Sequence, residues 1–268
     1  MPDPKYRQVA DDLRDQIESG ELSPGAQLPP EPELIEHYQV SRNTIRDALR
    51  LLATRRLIDT QPGRGTFVVE RHKPFVITLS EDPETGLGGG EGEAYIREVS
   101  ELGRRPTTTP PQVEIRKATG RVARELRLDP GEQVVTRHQQ RFIDETPWSM
   151  QTSFYPMELV ARGAGDLLLA GYIQRGTVNY LEQALNLKQA GYQDRIRVRT
   201  PTDQEQRFFG LPDTEGSVIE TYRTAYDTEG RPFRLTASVF PADRNNFIIN
   251  VGDVPAEVTS PQWITEDS

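Results

Sequence analysis

A glycine- and acid-rich stretch divides the chain. Residues 81–93 read EDPETGLGGGEGE and contain few apolar side chains. Such a segment buries too little surface to join a core, and its glycines favour a linker or an exposed loop. A chain of 268 residues has room for one large or two modest domains. We therefore predict a first domain over 1–70, a linker over 71–95, a second domain over 96–251 and a C-terminal tail over 252–268.

The first 70 residues show helical periodicity interrupted by short breaks. Apolar residues recur at helical spacing from Tyr6 to Ile17, and Gly20 ends that pattern. Ser41 is well placed to cap a later helix. The predicted elements are three helices over 4–19, 31–38 and 41–55, followed by a hairpin of strands 57–60 and 66–69. This order is typical of a winged helix-turn-helix, an α+β domain.

The third predicted helix has two different faces. Arg42, Arg46 and Arg50 recur every four residues on one face, and apolar residues occupy the other. Residues 41–66 carry six arginines and two aspartates, a net charge of +4 (6 − 2), although the whole chain carries −9. A focused positive surface favours nucleic acid more than the global charge opposes it. A solvated helix face that pairs with Asp47 fits the same spacing, so spacing alone leaves both interpretations open.

Composition excludes several classes of site. The chain has no cysteine and only three histidines, which lie far apart, so disulfides, thiolate chemistry and a zinc site are not expected. We expect no metal, no cofactor and no catalytic residues. The sequence shows neither an apolar signal region nor a run of about 18 apolar residues. The expected location is the cytoplasm, at the nucleoid when the protein is bound to DNA.

The second domain alternates strand and helix patterns. Two hairpins are evident, one turning at FIDETPW and the other at YDTEGRPF. The predicted strands are 112–117, 133–143, 148–155, 195–200, 217–227, 233–241 and 246–251, and the predicted helices are 119–127, 156–162, 177–188 and 202–209. Hairpins with interspersed helices indicate an α+β domain with an antiparallel sheet.

The motifs resemble those of a known family in both domains. Residues 6–69 resemble the GntR-type winged helix through YRQVADDLRDQIESGELSPGAQLP, VSRNTIRDAL and PGRGTFV. Residues 96–250 resemble the ligand-sensing UTRA domain of the HutC subgroup, which shares the fold of chorismate lyase, through LGRRP, LRLDPGEQVV, RFIDETP, SFYP, YDTEGRPF and SVFPADRNNF. The resemblance implies a transcriptional regulator, by default a repressor, which binds a palindromic operator in double-stranded DNA as a homodimer.

The resemblance also implies which residues contact DNA. Arg42 and Arg46 are expected to read bases, since the arginine fork meets O6 and N7 of guanine together. Arg50 is expected to meet phosphate or solvent, and Arg64 of the wing to enter the minor groove. The full predicted set is Glu31, Ser41, Arg42, Asn43, Thr44, Arg46, Arg50, Arg64, Gly65 and Thr66. Pro30 and Pro32 depart from the family pattern, which places a serine cap and an arginine there, so one usual base contact is absent.

The resemblance places an effector pocket in the second domain. The corresponding residues are Gln139, Arg141, Gln151, Thr177 and Arg234. Two positions that usually carry carboxylates are here Gln151 and Arg234, so the pocket favours an anionic effector over a sugar or an amine. Thr177 opens a helix whose free N–H groups suit an anion. The same arginines would also fit structural pairs with acids across a sheet.

Two other functions remain compatible with the sequence. The protein would respond to no small molecule if it were a ligand-independent autoregulator of a mobile element's transfer genes. It would turn over a carboxylate-bearing substrate if it kept chorismate-lyase-like activity. A shared fold does not imply shared activity, and no arrangement of nucleophile, base and orienting residue is supported by spacing. We therefore predict a regulator and not an enzyme.

Overall fold

A computed structural model shows two compact units, which divide between His72 and Lys73. Each unit is described separately below. The structure describes residues 4–55, 57–61, 63–69, 75–78, 92–129, 131–173, 176–211 and 216–249.

The first unit is a winged helix-turn-helix, as predicted. Its apolar core joins all three helices to the hairpin and includes Leu13, Leu34, Ile45 and Val68. The elements are α1 (Lys5–Glu18), α2 (Glu31–Tyr38), α3 (Arg42–Thr54), β1 (Ile58–Gln61) and β2 (Gly65–Val68).

Local backbone features fix the turn and the wing of this unit. Gln39 adopts a left-handed conformation (φ 52°) and ends α2, and Ser41 caps α3. β1 and β2 pair antiparallel, with Ile58 opposite Val68. The segment after α1 lies along the other side of β2, where the Leu28 N–H donates to the Thr66 carbonyl at 2.8 Å. β2 is therefore hydrogen-bonded on both of its sides.

The second unit contains a seven-stranded antiparallel sheet. The elements are β3 (Phe75–Thr78), α4 (Gly92–Glu101), β4 (Pro106–Thr108), β5 (Gln112–Lys117), α5 (Gly120–Leu126), β6 (Gln133–Ile143), β7 (Thr146–Pro156), α6 (Met157–Ala161), α7 (Gly176–Leu185), β8 (Gln189–Arg199), α8 (Asp203–Phe209), β9 (Val218–Asp227), β10 (Pro232–Pro241) and β11 (Asn245–Ile248). The strand order of the sheet is β4–β6–β7–β10–β9–β8, and β5 also pairs with β6. A separate pair, β3 and β11, is parallel.

Helices pack on both faces of this sheet. One face, here called the covered face, carries Val135 and Ala225, which share a core with Leu159 of α6, Leu167 of a 3₁₀ turn and Leu181 of α7. On the other face, Leu126 of α5 and Phe209 of α8 pack in two smaller cores. Successive side chains along a strand point to opposite faces, so both faces of the sheet contribute apolar residues to a core.

The structure differs from the sequence prediction between the two domains. The predicted linker contains β3, and α4 begins at Gly92 within it. Phe75 and Ile77 alternate along β3 and are both buried, in a core with Trp148 and Phe240. Because β3 has four residues and its partner β11 lies near the other end of the chain, local composition concealed it. Residues 79–91 lie outside the described part of the chain.

Two further boundaries differ. The predicted helix 177–188 ends at Leu185 as α7, and Asn186 follows with a left-handed φ of 52°. β8 begins at Gln189, six residues before the predicted strand. The predicted last strand is β11, and the predicted tail, 252–268, lies outside the described residues. Among the described residues, no helix combines the length and the apolar character needed to cross a membrane.

Candidate DNA-binding surface and effector site

Three arginines of α3 lie on its exposed side. The side chains of Arg42, Arg46 and Arg50 are 64%, 54% and 77% exposed. The opposite side of the helix is anchored in the core by Ile45 and Leu52, both fully buried. The helix therefore presents a row of guanidinium groups, one turn apart, from a rigid support.

A carboxylate from the preceding helix pairs with two of these arginines. Glu31, the first residue of α2, accepts from Nε of Arg46 at 3.2 and 3.3 Å and from Nε of Arg42 at 3.3 Å. Arg50 instead donates through Nη1 to Asp47 Oδ1 at 3.1 Å. Exposed ion pairs of this kind add little to stability. Their main effect is on the positions of the guanidinium groups and on the local charge.

The N-terminal end of α3 is fixed by hydroxyl groups. The Ser41 hydroxyl oxygen accepts from the Thr44 N–H at 3.2 Å, and the two side-chain hydroxyls lie 2.8 Å apart. Asn43 is exposed in the first turn. In helix-turn-helix proteins the N-terminal residues of the recognition helix approach the base edges, so Asn43 occupies a suitable position. Ser41 and Thr44 are engaged with each other as a cap.

The wing turn brings Arg64, Gly65 and Thr66 together at one end of the hairpin. Arg64 is exposed, and its carbonyl oxygen accepts from the Gln27 amide at 3.1 Å. Gly65 has a φ of +125°, and a Cβ there would lie 2.3 Å from Gln27 Nε2. The positive φ favours glycine here, and any other residue would also have to displace the end of the Gln27 side chain. The Thr66 hydroxyl lies 3.3 Å from that of Thr60, so the predicted wing residues form one supported turn.

Three of the predicted effector residues lie together on the covered face. Gln139 and Gln151 are directly opposite each other on β6 and β7, and Arg141 is opposite Ser149. Side chains two residues apart on a strand share a face, so all of them lie on the same side as Val135. The structure thus groups Gln139, Arg141 and Gln151 at the middle of the sheet.

Unsatisfied polar atoms accompany this group. Ser149 is 1% exposed, and neither its hydroxyl nor Gln151 Oε1 has a hydrogen-bond partner in the described part of the chain. The amides of Gln151 and Gln139 do have contacts, donating to the Ser153 hydroxyl at 3.4 Å and to the Thr109 carbonyl at 3.2 Å. Buried polar atoms normally have partners in the protein, in water or in a ligand, so these two atoms are suited to accept a polar ligand.

Arg141 connects this group to an aromatic cluster. Its Cζ lies 5.1 Å from the centre of the Tyr95 ring, and burial raises the pKa of Tyr95 to about 12. The Tyr95 ring stacks on Trp148, with centres 4.5 Å apart and planes at 7°. Trp148 in turn meets the edge of Phe75 of β3 at 5.3 Å. The Arg141 end of the group therefore rests on the core that also holds β3.

The other two predicted effector residues lie elsewhere on the same side. Ser238 is opposite Gln151, and Arg234 is four residues from Ser238, or about 13 Å along the strand. Arg234 is buried and donates to Gln189 Oε1 at 3.3 Å. Thr177 lies in the first turn of α7. A ligand that contacts Gln151 would need considerable length to reach Arg234 as well.

Family models match both units. The model for bacterial regulatory proteins of the gntR family matches residues 5–68, and the UTRA domain model matches residues 101–246, more than half of the chain.

The chain belongs to the GntR family.

Relatives in three bacteria agree with that membership. This GntR-family chain is 25% identical to the mannosyl-D-glycerate transport/metabolism system repressor MngR of Escherichia coli (strain K12), over 92% of this chain and 95% of that protein. It is 26% identical to the HTH-type transcriptional repressor NagR of Bacillus subtilis (strain 168), over 92% and 94%. It is 30% identical to the uncharacterised HTH-type transcriptional regulator RB1450 of Rhizobium meliloti (strain 1021), over 89% and 91%.

Solved structures confirm the fold. A GntR-family transcriptional regulator matches with a TM-score of 0.63 at 25% identity, over 94% of this chain and 98% of that one. PhnF of Mycobacterium smegmatis matches with a TM-score of 0.54 at 20% identity, over 92% of this chain and 100% of that one. The predicted family and the two-domain fold are confirmed: this GntR-family chain is a DNA-binding transcriptional regulator with a ligand-sensing UTRA domain. These relatives and structural neighbours are transcriptional regulators and not enzymes.

One buried residue of this GntR-family regulator was not predicted. Arg137 of β6 lies on the covered face, and its guanidinium donates to the carbonyl oxygens of Leu167 at 2.9 Å, Leu169 at 2.7 Å and Gly171 at 2.7 Å. Burial lowers the pKa of Arg137. This side chain ties the segment 165–172 over the sheet. In the sequence, the one sign that Arg137 lies near the predicted effector residues is its position two residues before Gln139, on the same face of a strand.

Proposed function

We propose that this regulator is a repressor that binds a palindromic operator as a homodimer. We further propose that a small anionic effector binds on the covered face and changes the affinity for DNA. The DNA-binding proposal rests on the exposed guanidinium groups of Arg42 and Arg46, which a capped and buried helix holds one turn apart. The effector proposal rests on the two unsatisfied polar atoms beside Arg141.

Energetics support two copies of α3 on one operator. A bidentate arginine–guanine contact discriminates by about 1–3 kcal/mol, so two such contacts give one helix about 2–6 kcal/mol. Specific DNA sites are typically about 4–10 kcal/mol better than non-specific DNA. Two helices with four such contacts reach that range, whereas a single helix falls at its lower end. Dimeric binding to two half-sites is therefore the arrangement we propose.

The remaining residues of the first unit have supporting roles in this proposal. Arg50 lies two turns from the cap and contacts phosphate. Arg64 enters the minor groove from the wing, where Gly65 permits close approach. Asn43 contacts a base edge or a phosphate, while Ser41 and Thr44 keep the end of α3 in place. Phosphate contacts position the protein, and base contacts specify the sequence.

The chemistry of the covered face supports an anionic effector that also carries a hydroxyl or N–H group. Arg141 supplies a cation, and Gln151 Oε1 is an unsatisfied acceptor. A hydroxy acid or a phosphorylated sugar would satisfy both. The name of the relative MngR refers to mannosyl-D-glycerate, a compound with a carboxylate and several hydroxyls, which agrees with this class.

The DNA-binding proposal is tested by selecting duplexes from a random pool with the full chain. We expect two inverted half-sites about 10 base pairs apart, each containing guanine. Arg42→Ala and Arg46→Ala should each relax the preference at one position and cost about 1–3 kcal/mol per contact. Arg50→Ala, the control, should reduce the salt dependence without changing the preferred bases. Enrichment of a single half-site, or of no sequence, would contradict the proposal.

The effector proposal is tested by thermal unfolding with three panels: hydroxy acids, phosphorylated sugars and neutral sugars. We expect stabilisation by anionic compounds alone, and a change in affinity for the selected duplex in their presence, because an effector acts only through unequal binding to two states. Gln151→Leu should abolish the stabilisation, and the exposed Arg116→Gln should not. Equal stabilisation by neutral sugars would refute the anionic assignment. No response to any panel would favour a ligand-independent regulator.

A further inference from the structure

We infer that Glu31 is a positioning residue for DNA reading, which holds Arg42 and Arg46 by their Nε–H groups and leaves their terminal N–H pairs directed to DNA. This inference rests on the proposed reading of bases by Arg42 and Arg46. It assigns Glu31 a role through the two arginines and not through a contact of its own with DNA.

The geometry of the carboxylate carries the inference. Both Glu31 oxygens lie within 3.3 Å of Arg46 Nε, and Oε2 also lies 3.3 Å from Arg42 Nε. Within the described residues, the ion pairs and hydrogen bonds of these two guanidinium groups all run through Nε to Glu31. A guanidinium carries five N–H donors in a fixed fork. The Nε contact therefore uses one edge and leaves the two terminal nitrogens for O6 and N7 of guanine.

The backbone around Glu31 is restricted on both sides. Pro30 is the N-cap of α2 with a φ of −56°, and Pro32 occupies the first turn. Proline fixes its own φ and limits the residue before it. The carboxylate is also partly shielded, with a side chain 30% exposed. A fixed acceptor that contacts two long, otherwise mobile side chains reduces the entropy lost when those side chains bind DNA.

The carboxylate also changes the local charge. It offsets one of the two positive charges on Arg42 and Arg46, and so weakens the attraction to phosphate that all DNA sequences share. Holding the forks improves binding to the correct bases, whereas reducing the charge weakens binding to every sequence. Removing the Glu31 carboxylate is therefore expected to weaken binding to the specific operator and to strengthen binding to unrelated DNA. A residue that only stabilised the fold would weaken both.

The test compares Glu31→Gln with Glu33→Gln in the full chain. Both substitutions remove one negative charge from the first turn of α2, where Glu31 and Glu33 are the acidic residues. The probes are a duplex selected from a random pool by the unmodified protein and a scrambled duplex of the same composition. We expect Glu31→Gln to weaken binding to the selected duplex about tenfold, with unchanged or tighter binding to the scrambled one. Glu33→Gln should change the ratio of the affinities for the selected and scrambled duplexes less than twofold.

Glu31→Ala provides a second variant, since it removes both the charge and the acceptor oxygens. It should lower the ratio of the affinities for the selected and scrambled duplexes at least as far as Glu31→Gln does. Thermal unfolding of each variant checks that the unit remains folded. An unchanged ratio in both variants would overturn the inference, and so would equal weakening on both duplexes.

A third measurement separates this inference from the proposal beneath it. In an Arg42→Ala, Arg46→Ala background, Glu31→Gln should no longer change the ratio of the affinities for the selected and scrambled duplexes, because both groups through which it acts on base reading are gone. A persisting effect would show that Glu31 contacts DNA itself and would overturn the positioning role. If the arginine variants alone leave binding to the selected duplex unchanged, the proposed base reading fails, whatever the result for Glu31.

Discussion

Replacing Arg137 by alanine is expected to release the segment 165–172 from the sheet. Three carbonyl oxygens in that segment accept from the buried guanidinium at 2.7–2.9 Å. Hydrogen bonds to charged groups contribute about 1.5–3 kcal/mol each, and the cost of burying the cation offsets part of their sum. Removing the guanidinium leaves these carbonyl oxygens without this partner, which costs about 1–3 kcal/mol for each one that stays buried. We expect a loss in that range, concentrated in this segment.

Limited proteolysis with chymotrypsin measures the release directly. The segment carries three exposed side chains that this protease recognises, Leu168, Leu169 and Tyr172. When opening is fast, cleavage follows the population of the open form, and each 1.4 kcal/mol changes that population tenfold. A local loss of about 3 kcal/mol should therefore raise the cleavage rate about a hundredfold. Arg116→Ala, which removes an exposed arginine from β5, is the control and should leave the rate unchanged.

Arg137→Lys sharpens the interpretation. It keeps the positive charge, but a single ammonium cannot reach carbonyl groups that a planar fork spans. We therefore expect a rate between those of the alanine variant and the unmodified protein. Equal cleavage rates in the unmodified protein and in the Arg137→Ala, Arg137→Lys and Arg116→Ala variants would refute the proposal that Arg137 holds this segment. The apolar contacts of Leu167 would then be sufficient to hold the segment, and the hydrogen bonds to Arg137 would contribute nothing measurable.

Three further outcomes are expected. Ser41→Ala should destabilise the first unit by about 1 kcal/mol through loss of the helix cap, measured by chemical denaturation, with weaker binding to the selected duplex. Gly65→Ala should cost about 1–3 kcal/mol, because its φ of +125° is strained for alanine and its Cβ would meet a glutamine side chain; wing amides should then exchange faster. Burial raises the pKa of Glu205 and Glu220, but hydrogen bonds from Arg199 outweigh it and hold both pKa values below their usual range. Because the folded-state pKa values are lowered, the stabilisation is complete above the unfolded value of about 4.3 and is lost as the pH falls through the folded values. Denaturation midpoints of the second unit, measured between pH 6 and pH 3, should therefore fall as the pH is lowered. The variant Arg199→Met should show a smaller fall in the midpoint.

Local patterns predicted much of the first unit. The helical spacing from Tyr6 to Ile17, the cap at Ser41 and the glycine turn at Gly65 are all encoded within a few residues. Each is a short-range feature, which sequence reasoning reads well. The pairing of Glu31 with the arginines of α3 was not predicted, because it depends on how α2 and α3 meet across the turn.

Long-range partners explain what was missed in the second unit. β6 and β7 were recognisable because they form a hairpin. β3 was not, because its partner β11 lies about 170 residues away (245 − 75). The role of Arg137 was hidden for a related reason, since its partners are main-chain carbonyls, which any residue type supplies. Among the predicted effector residues, the register brings Gln139 and Gln151 together but leaves Arg234 apart, a distinction that spacing in the sequence does not contain.

The parallel pairing of β3 with β11 has a consequence for the order of events during synthesis. The core of the first unit lies between Val9 and Val68, so that unit is complete before β3 leaves the ribosome. At about 5–20 residues per second, β11 follows roughly 8–34 s later. During that interval Phe75 and Ile77 have no partner strand, although both are buried in the finished protein. The nascent chain therefore acquires its DNA-binding unit first, and β3 gains its partner strand only after about 170 further residues (245 − 75) have been made.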